Sequence, residues 1–222
     1  MALFITLEGG DAVGKGTQLQ LLKQRFDTLG QSVITLRDPG GTPVGEAIRN
    51  IFKGQWDQPP TSLASFFLIC ACKHQMVNEA VKPMLSRGVH VLCDRFIDST
   101  YAYQLHGDQL GHDKFIRNEL WQIVHRAIDN VWPDLTFVID LPYEVMVKRI
   151  KSRGEPIDRW EAKGKDFFER TRAGFSDAHN RWGGRVKLIN GDQSIEDVSD
   201  QIWQHVSVKL ITHHRQPAVP RL

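Results

Sequence analysis

Residues 9–15 read Gly-Gly-Asp-Ala-Val-Gly-Lys, and no other stretch of the 222 residues narrows the fold so far. The GxxxxGK spacing, met at Gly9, Gly14 and Lys15, lies between a short apolar run, LFITL at 3–7, and helical periodicity that begins at Lys15. Where a buried strand turns into a helix, unpaired backbone N–H groups and the helix dipole favour an anion, and glycines let the backbone approach a phosphate closely. Lys15 supplies a mobile cation for the β- and γ-phosphates of a nucleoside triphosphate. The expected nucleotide-binding residues are therefore Gly9, Gly10, Asp11, Ala12, Val13, Gly14, Lys15, Gly16 and Thr17. Gly16 stands in the slot that usually carries a magnesium-binding hydroxyl, which leaves Thr17 as the hydroxyl available to a metal.

The same alternation continues along the chain. Apolar runs rich in β-branched residues at 33–36, 89–93, 135–139 and 186–189 are short and bounded by turn residues, as buried strands are. Helical periodicity fills 15–29, 44–52, 62–87 with a kink near Pro83, 113–130, 143–151, 164–182 and 194–210. Ser194 with Asp197 forms a variant capping box at the start of the last of these. Five strands alternating with helices predict an α/β fold of three layers, doubly wound around a five-stranded, mainly parallel sheet. One domain over 1–212 accounts for this content, and 213–222, with two prolines and little apolar periodicity, reads as a mobile tail.

Composition excludes several classes of function. The 28 Lys and Arg against 26 Asp and Glu leave a net charge of +2, too little for a polybasic partner such as nucleic acid or a membrane surface. Cys70, Cys72 and Cys93 are an odd number in a mid-sized chain, which argues against a secreted disulfide framework and for a reducing, cytoplasmic setting. The Cys70-Ala71-Cys72 pair has no second Cys or His pair to complete a metal site. No run of about 18 apolar residues is present, and MALFITLEGG lacks the basic segment and cleavage site of an export signal, so neither a membrane span nor export is expected.

Four later stretches carry a resemblance. LRDPGGT at 36–42 with GEAIR at 45–49, DRFIDSTYAYQ at 94–104, Arg153-Gly154-Glu155 with Asp158-Arg159, and FFERTR at 167–172 follow one another in that order. With the phosphate loop and the opening FITLEG, they resemble the RE-PGGT…GE-x-IR segment, the DRY-x-x-S-x-x-AYQ segment, the arginine-bearing lid and the helix after it in bacterial thymidylate kinases. The likeness covers nearly the whole chain. It implies a P-loop NTPase fold with a short lid at about 152–163, a homodimer, and transfer of the γ-phosphoryl group of ATP, with Mg2+, to dTMP. By the same resemblance Lys15, Arg95, Arg153 and Arg159 carry the catalytic charge, and Asp94 joins Thr17 near the metal. Asp11 reaches the sugar 3′-hydroxyl, Arg49 holds the monophosphate, Ser99 belongs to the substrate-binding set, Thr100 and Gln104 face the base, and Tyr103 crowds a ribose 2′-hydroxyl. Arg149 and Asp192 join the nucleotide-binding set, Asp192 within Asn190-Gly191-Asp192-Gln193, where the resemblance places the adenine edge.

Elementary chemistry agrees with a kinase. Phosphoryl transfer spreads charge over several oxygens, so the site needs distributed cations more than a general base; the acceptor phosphate is already an anionic nucleophile. From Lys148 to Arg172, nine basic residues face five acidic ones, a net +4 in the segment that includes the lid. Asp94 ends the VHVLC run, where ligands bind in open α/β sheets. Departures gather at the base pocket: Lys73 stands where an arginine usually meets thymine O4, and Ile69 where a phenylalanine usually stacks on the ring. Lysine does not replace a bidentate arginine like for like. Two readings stay open there, a pocket widened toward a 5-modified deoxyuridylate, or Lys73 reaching O4 with Ile69 packed on the base. Asp38 for Glu, Phe96 for Tyr and Ala12 for Gly are smaller departures. A kinase for another monophosphate and a nucleotide-dependent switch are the competing functions, and the switch has no use for the acceptor-side Arg49 and Arg95.

Overall fold

A computed structural model describes residues 2–154, 157 and 159–214. Strands β1 (Phe4–Gly9), β2 (Val33–Arg37), β3 (His90–Asp94), β4 (Leu135–Asp140) and β5 (Val186–Asn190) form one sheet in the order β2-β3-β1-β4-β5. Every pairing is parallel, and helices cover both faces, as the alternation of elements predicts. Each strand ends on Gly9, Arg37, Asp94, Asp140 or Asn190, at least one residue beyond its apolar run.

The two-residue period of the strands sorts the core into two layers. Ile5 and Leu7 of β1, with Leu135, Phe137 and Ile139 of β4, face α1 (Lys15–Thr28) and α9 (Ile195–His214), where Leu22, Phe26, Val198, Ile202 and Val206 meet them. Phe4 of β1 and Val91 and Cys93 of β3 face the opposite way. Their cover comes from α3 (Ser62–Met76), α4 (Lys82–Ser86), α5 (Ile97–Thr100) and α6 (Lys114–Ala127). The remaining helices are α2 (Pro43–Lys53), α7 (Tyr143–Arg153) and α8 (Gly164–Trp182). Phe4, Thr6 and Glu8 therefore share one face of the central strand, so two polar side chains point into this layer, where buried Thr136 and Asp98 join Thr6 in a hydrogen-bonded chain.

Three elements differ from expectation for identifiable reasons. The 62–87 helix becomes π-helical over Val77–Val81, just ahead of Pro83, whose ring crowds the carbonyl four residues back and offers it no N–H. A helix that sequence periodicity does not predict, α5 continued by π-helical Tyr101–Gly107, carries the DRFIDSTYAYQ segment. Residues 96–105 are all buried, so there is no polar face to give a 3.6-residue period. The helix expected over 113–130 stops at Ala127, because Asp129 and Asn130 adopt left-handed backbone. At the start of α9, Ser194 Oγ accepts from Asp197 N–H (3.1 Å) and donates to Asp197 Oδ2 (2.7 Å), the capping pair anticipated. That helix runs to His214, two residues into the segment read as a tail, and residues 215–222 lie outside the described residues.

Candidate functional site

Sheet register brings the site together. Leu7 and Arg37 both pair with Asp94, so the chain leaves β1, β2 and β3 side by side and places Gly9, Asp38 and Arg95 around one crevice at the C-terminal edge. Ligands enter open α/β sheets at that edge. The loop from Gly9 to Gly14 is committed to its path: a Cβ on Gly9 would stand 2.3 Å from the Ile139 carbonyl oxygen, so only glycine fits there. Gly14, at φ 96°, caps α1 with left-handed backbone that glycine adopts without strain. Lys15 follows, buried, with Nζ donating to the carbonyl of Gly10 (2.6 Å) and weakly to that of Gly9 (3.4 Å). Burial, and after it the nearby Arg95, lowers the Lys15 ammonium to about 8.

Arg95 ties the loop to the α5 region. Its Nη1 donates to the Gly9 carbonyl (2.8 Å) and Ser99 Oγ (3.1 Å), and its Nη2 to Asp11 Oδ1 (2.8 Å) and Tyr103 Oη (3.1 Å). The guanidinium also lies 4.8 Å from the centre of the Tyr103 ring. Burial opposes its charge, but Tyr103, Asp11, Asp94 and Glu8 together outweigh that and raise its pKa above the ordinary arginine value. Burial likewise raises Asp11, yet Arg95, Lys15 and Lys53 prevail and hold it below the usual carboxylate range.

A cleft of about 190 Å3 opens beside this hub, lined by Asp11, Lys15, Arg49, Ile69, Lys73, Asp94, Arg95, Ser99, Thr100, Tyr103 and Gln104 among others. Thr100 is fully buried, and its Oγ1 has no hydrogen-bond partner among the described residues. A buried hydroxyl left unpaired costs free energy unless something outside the chain supplies the partner. Arg49 Nη1 donates to the Pro39 carbonyl (2.7 Å). Lys73 is wholly enclosed, its ammonium hydrogen-bonded to Asp38 Oδ2, while Asp38 Oδ1 has no partner among the described residues. One crevice thus holds the buried Lys15 of the glycine loop, an arginine bonded to both sides and a second, partly apolar recess with unpaired polar atoms.

Comparison with known proteins points the same way. The family model described as "Thymidylate kinase" matches residues 7–202. A thymidylate kinase of Exiguobacterium sp. is 38% identical over 208 residues, 94% of this chain and 95% of that one. One from Pseudomonas syringae pv. tomato is 38% identical over 88% of this chain and 90% of its own. The chain belongs to the thymidylate kinase family. Its fold agrees with the crystal structure of the thymidylate kinase from Ehrlichia chaffeensis at a TM-score of 0.72 and 28% identity, covering 92% of this chain and 98% of that one.

The thymidylate kinase motifs outside the crevice are placed differently. Arg153 is exposed and paired to Glu161 (3.0 and 3.1 Å). Arg159 donates to Ser65 Oγ (3.1 Å), its guanidinium 5.1 Å from the Phe52 ring centre and 4.7 Å from that of Trp160. Neither arginine lines the cleft that holds Lys15 and Arg95. Glu155, Pro156 and Asp158 of the expected lid lie outside the described residues. Of the pair expected toward the donor nucleotide, Arg149 Nη2 donates to the Gly191 carbonyl (3.0 Å), one residue before the exposed Asp192.

For a metal, Asp94 Oδ1 is buried without a partner among the described residues, and Thr17 is exposed in the first turn of α1. No three His, Cys, Asp or Glu side chains cluster as a metal cage among the described residues. One carboxylate and one hydroxyl suit an ion that keeps most of its water and takes phosphate oxygens, as Mg2+ does, so these residues fit that group. Among the described residues no helix is long and apolar enough to cross a membrane.

Among the residues to which sequence analysis assigns no role, Trp160 and Asp38 line the crevice and Glu8 lies buried beside it. Trp160 lines the cleft and stacks on Phe52 with ring centres 5.1 Å apart. Its signal was an aromatic residue directly after the Asp158-Arg159 pair. In the sequence Asp38 is only a departure from glutamate, and Glu8 only part of the opening motif.

Proposed function

We propose that this thymidylate kinase family member transfers the γ-phosphoryl group of ATP to dTMP, giving dTDP and ADP, with Mg2+ bound. The observation that carries the reading is the recess of Thr100, Gln104, Ile69 and Lys73 sharing one crevice with the Lys15 loop, with Arg95 between them. Arg49 and Arg95 hold the acceptor phosphate, an oxygen of which attacks without a general base. Lys15 and Arg95 neutralise the charge that grows on the transferring group. Tyr103, whose hydroxyl donates to Asp11 Oδ2 (3.3 Å), crowds a ribose 2′-hydroxyl in this reading, while Asp11 accepts from the 3′-hydroxyl. Mg2+, held through Asp94 and Thr17, supplies Lewis-acid stabilisation of the phosphate oxygens when bound. Arg153 and Arg159 act after the segment around them closes, exchanging Glu161 and Ser65 for phosphate oxygens.

Coupled ADP release over dTMP, dUMP, 5-hydroxymethyl-dUMP, dGMP and AMP tests this. The expected result is the highest kcat/KM for dTMP, by about a hundredfold over the purine nucleotides, since a missing or misplaced hydrogen bond to the base costs several kcal/mol. ADP release that no acceptor accelerates would refute the kinase reading.

The proposed homodimer uses an apolar face. On α3 and α6, which pack side by side, Leu63, Phe67, Phe115, Ile116 and Ile123 are exposed, Phe115 to 70%. Contiguous exposed apolar side chains mark association surfaces. Phe67→Asp is expected to shift the sedimentation coefficient from dimer to monomer, and an unchanged coefficient would place the interface elsewhere.

A further inference from the structure

We infer that Glu8 is a positioning residue for Arg95, acting through the Ser99 hydroxyl and the backbone of residues 96–99. The inference rests on the phosphoryl-transfer reading above, in which Arg95 touches the reacting phosphates. Glu8 is fully buried at the end of β1 and does not reach the cleft itself. Its Oε1 accepts from the backbone N–H of Phe96 (2.7 Å) and of Ser99 (3.2 Å), and its Oε2 accepts from the Ser99 hydroxyl. Ser99 Oγ in turn accepts from Arg95 Nη1. One carboxylate thus grips the chain just after Arg95 and, one hydrogen bond further on, the guanidinium.

Arg95 needs such support. Its backbone is left-handed at φ 68°, a conformation that costs a side-chain-bearing residue about 1–2 kcal/mol and persists only where the surroundings over-determine it. The backbone of Arg95 is held on one side by its own N–H to the Leu7 carbonyl (2.9 Å), and Glu8 secures the residues on the other.

Anchoring the helix is a task already performed elsewhere. Asp98 receives a bidentate bond from Arg185 (2.7 and 2.8 Å) and a bond from Thr136 Oγ1 (3.2 Å), while Thr136 bonds Thr6 (2.8 Å). Nor is a buried carboxylate a stabilising choice over an apolar residue. Burial first, and then Asp98, pushes the Glu8 carboxyl up to about 7 against the bonds from Ser99, Arg95 and Phe96. What remains for Glu8 is orientation.

Glu8→Gln keeps the shape and spoils the pattern. Its amide oxygen can serve the two N–H groups, but its NH2 then faces a hydroxyl that must turn round to accept it, which strands the hydroxyl proton and draws Oγ from Arg95. The test measures kcat and KM for E8Q and S99A, each alone and with R95A, alongside thermal midpoints. E8Q is expected to lose roughly tenfold in kcat with KM for dTMP nearly unchanged, as for loss of transition-state positioning. In the R95A background the same change is expected to alter kcat by less than about twofold, because residues that act as a unit are not additive. S99A cuts the relay to Arg95 but leaves Oε1 its two N–H bonds, so it decides the matter even where E8Q does not fold: its loss, too, disappears with R95A.

An E8Q enzyme with wild-type kcat overturns the inference, and so does an equal loss with and without Arg95, which marks a structural effect. Wild-type protein silent with every acceptor overturns the proposed function, and this inference with it; active wild type with indifferent E8Q and S99A overturns this inference alone.

Discussion

Lys15→Ala is expected to lower kcat by roughly a hundredfold or more, the scale of deleting one preorganised transition-state donor. Lys15 begins α1 at the mouth of the loop, so its charge adds to the helix dipole where phosphate is to bind. Its ammonium rests on the Gly10 and Gly9 carbonyls, a pair of neutral acceptors that a phosphate oxygen outcompetes as a charged one. Because Lys15 is buried, no water takes its place cheaply when the charge is deleted, and Arg95, held by Gly9, Ser99, Asp11 and Tyr103, keeps its own place and does not substitute for the lost ammonium. The loop backbone remains, so the variant is expected to fold with a thermal midpoint near that of the parent. Near-full activity in Lys15→Ala would remove Lys15 from the mechanism.

The lowered pKa of Lys15 gives the same prediction a pH signature. In the proposed mechanism the active form is the protonated one, and with the free group at about 8 the ammonium is lost as pH rises through that value. Since kcat/KM reports the free enzyme, it is expected to fall on the alkaline side with a midpoint near 8. In kcat itself the limb moves to higher pH, because bound phosphate favours the charged form. A kcat/KM profile flat from pH 7 to about 9.5 would mean that the charge on Lys15 does not matter.

How much of this was legible beforehand follows from what each residue's environment lets a periodicity reveal. All five strands were visible as apolar runs, but every run stopped short of the strand's true end, since the last residues, such as Asp94 and Arg37, are polar and serve the crevice. The phosphate loop was readable because its glycines answer to local geometry: Gly9 faces the Ile139 carbonyl whatever else the chain does. The α5 helix was unreadable for the opposite reason, being buried on all sides, and only its motif gave it away. Arg95 could be named from its motif, yet its partners could not, for they come from residues 9 and 11 on one side and 99 and 103 on the other and meet only through sheet register. Trp160, Glu8 and Asp38 show the same limit: a contact between distant segments leaves no local period.

The Asp38 and Lys73 pair turns that limit into an expected result. Asp38→Ala leaves the Lys73 ammonium fully buried with no carboxylate beside it, a change expected to destabilise the fold by about 3–5 kcal/mol. For a domain near 200 residues each kcal/mol lowers Tm by roughly 2–4 °C, so the midpoint is expected to fall by about 6–20 °C. Lys73→Met removes the partner instead and replaces it with an apolar chain of similar length. Burial already raises the Asp38 pKa, with Lys73 pulling it back; without Lys73 it rises further. A carboxyl whose folded pKa exceeds its unfolded value binds its proton more tightly in the native state, so the stability it contributes is present at low pH and lost as pH rises above about 4. Lys73→Met is therefore expected to lie closest to the parent in Tm near pH 4 and to fall progressively behind it toward pH 8. Equal Tm deficits for Lys73→Met across that range, or an Asp38→Ala midpoint within about 1 °C of the parent, would show that the pair contributes no net electrostatic stability to the fold beside the cleft.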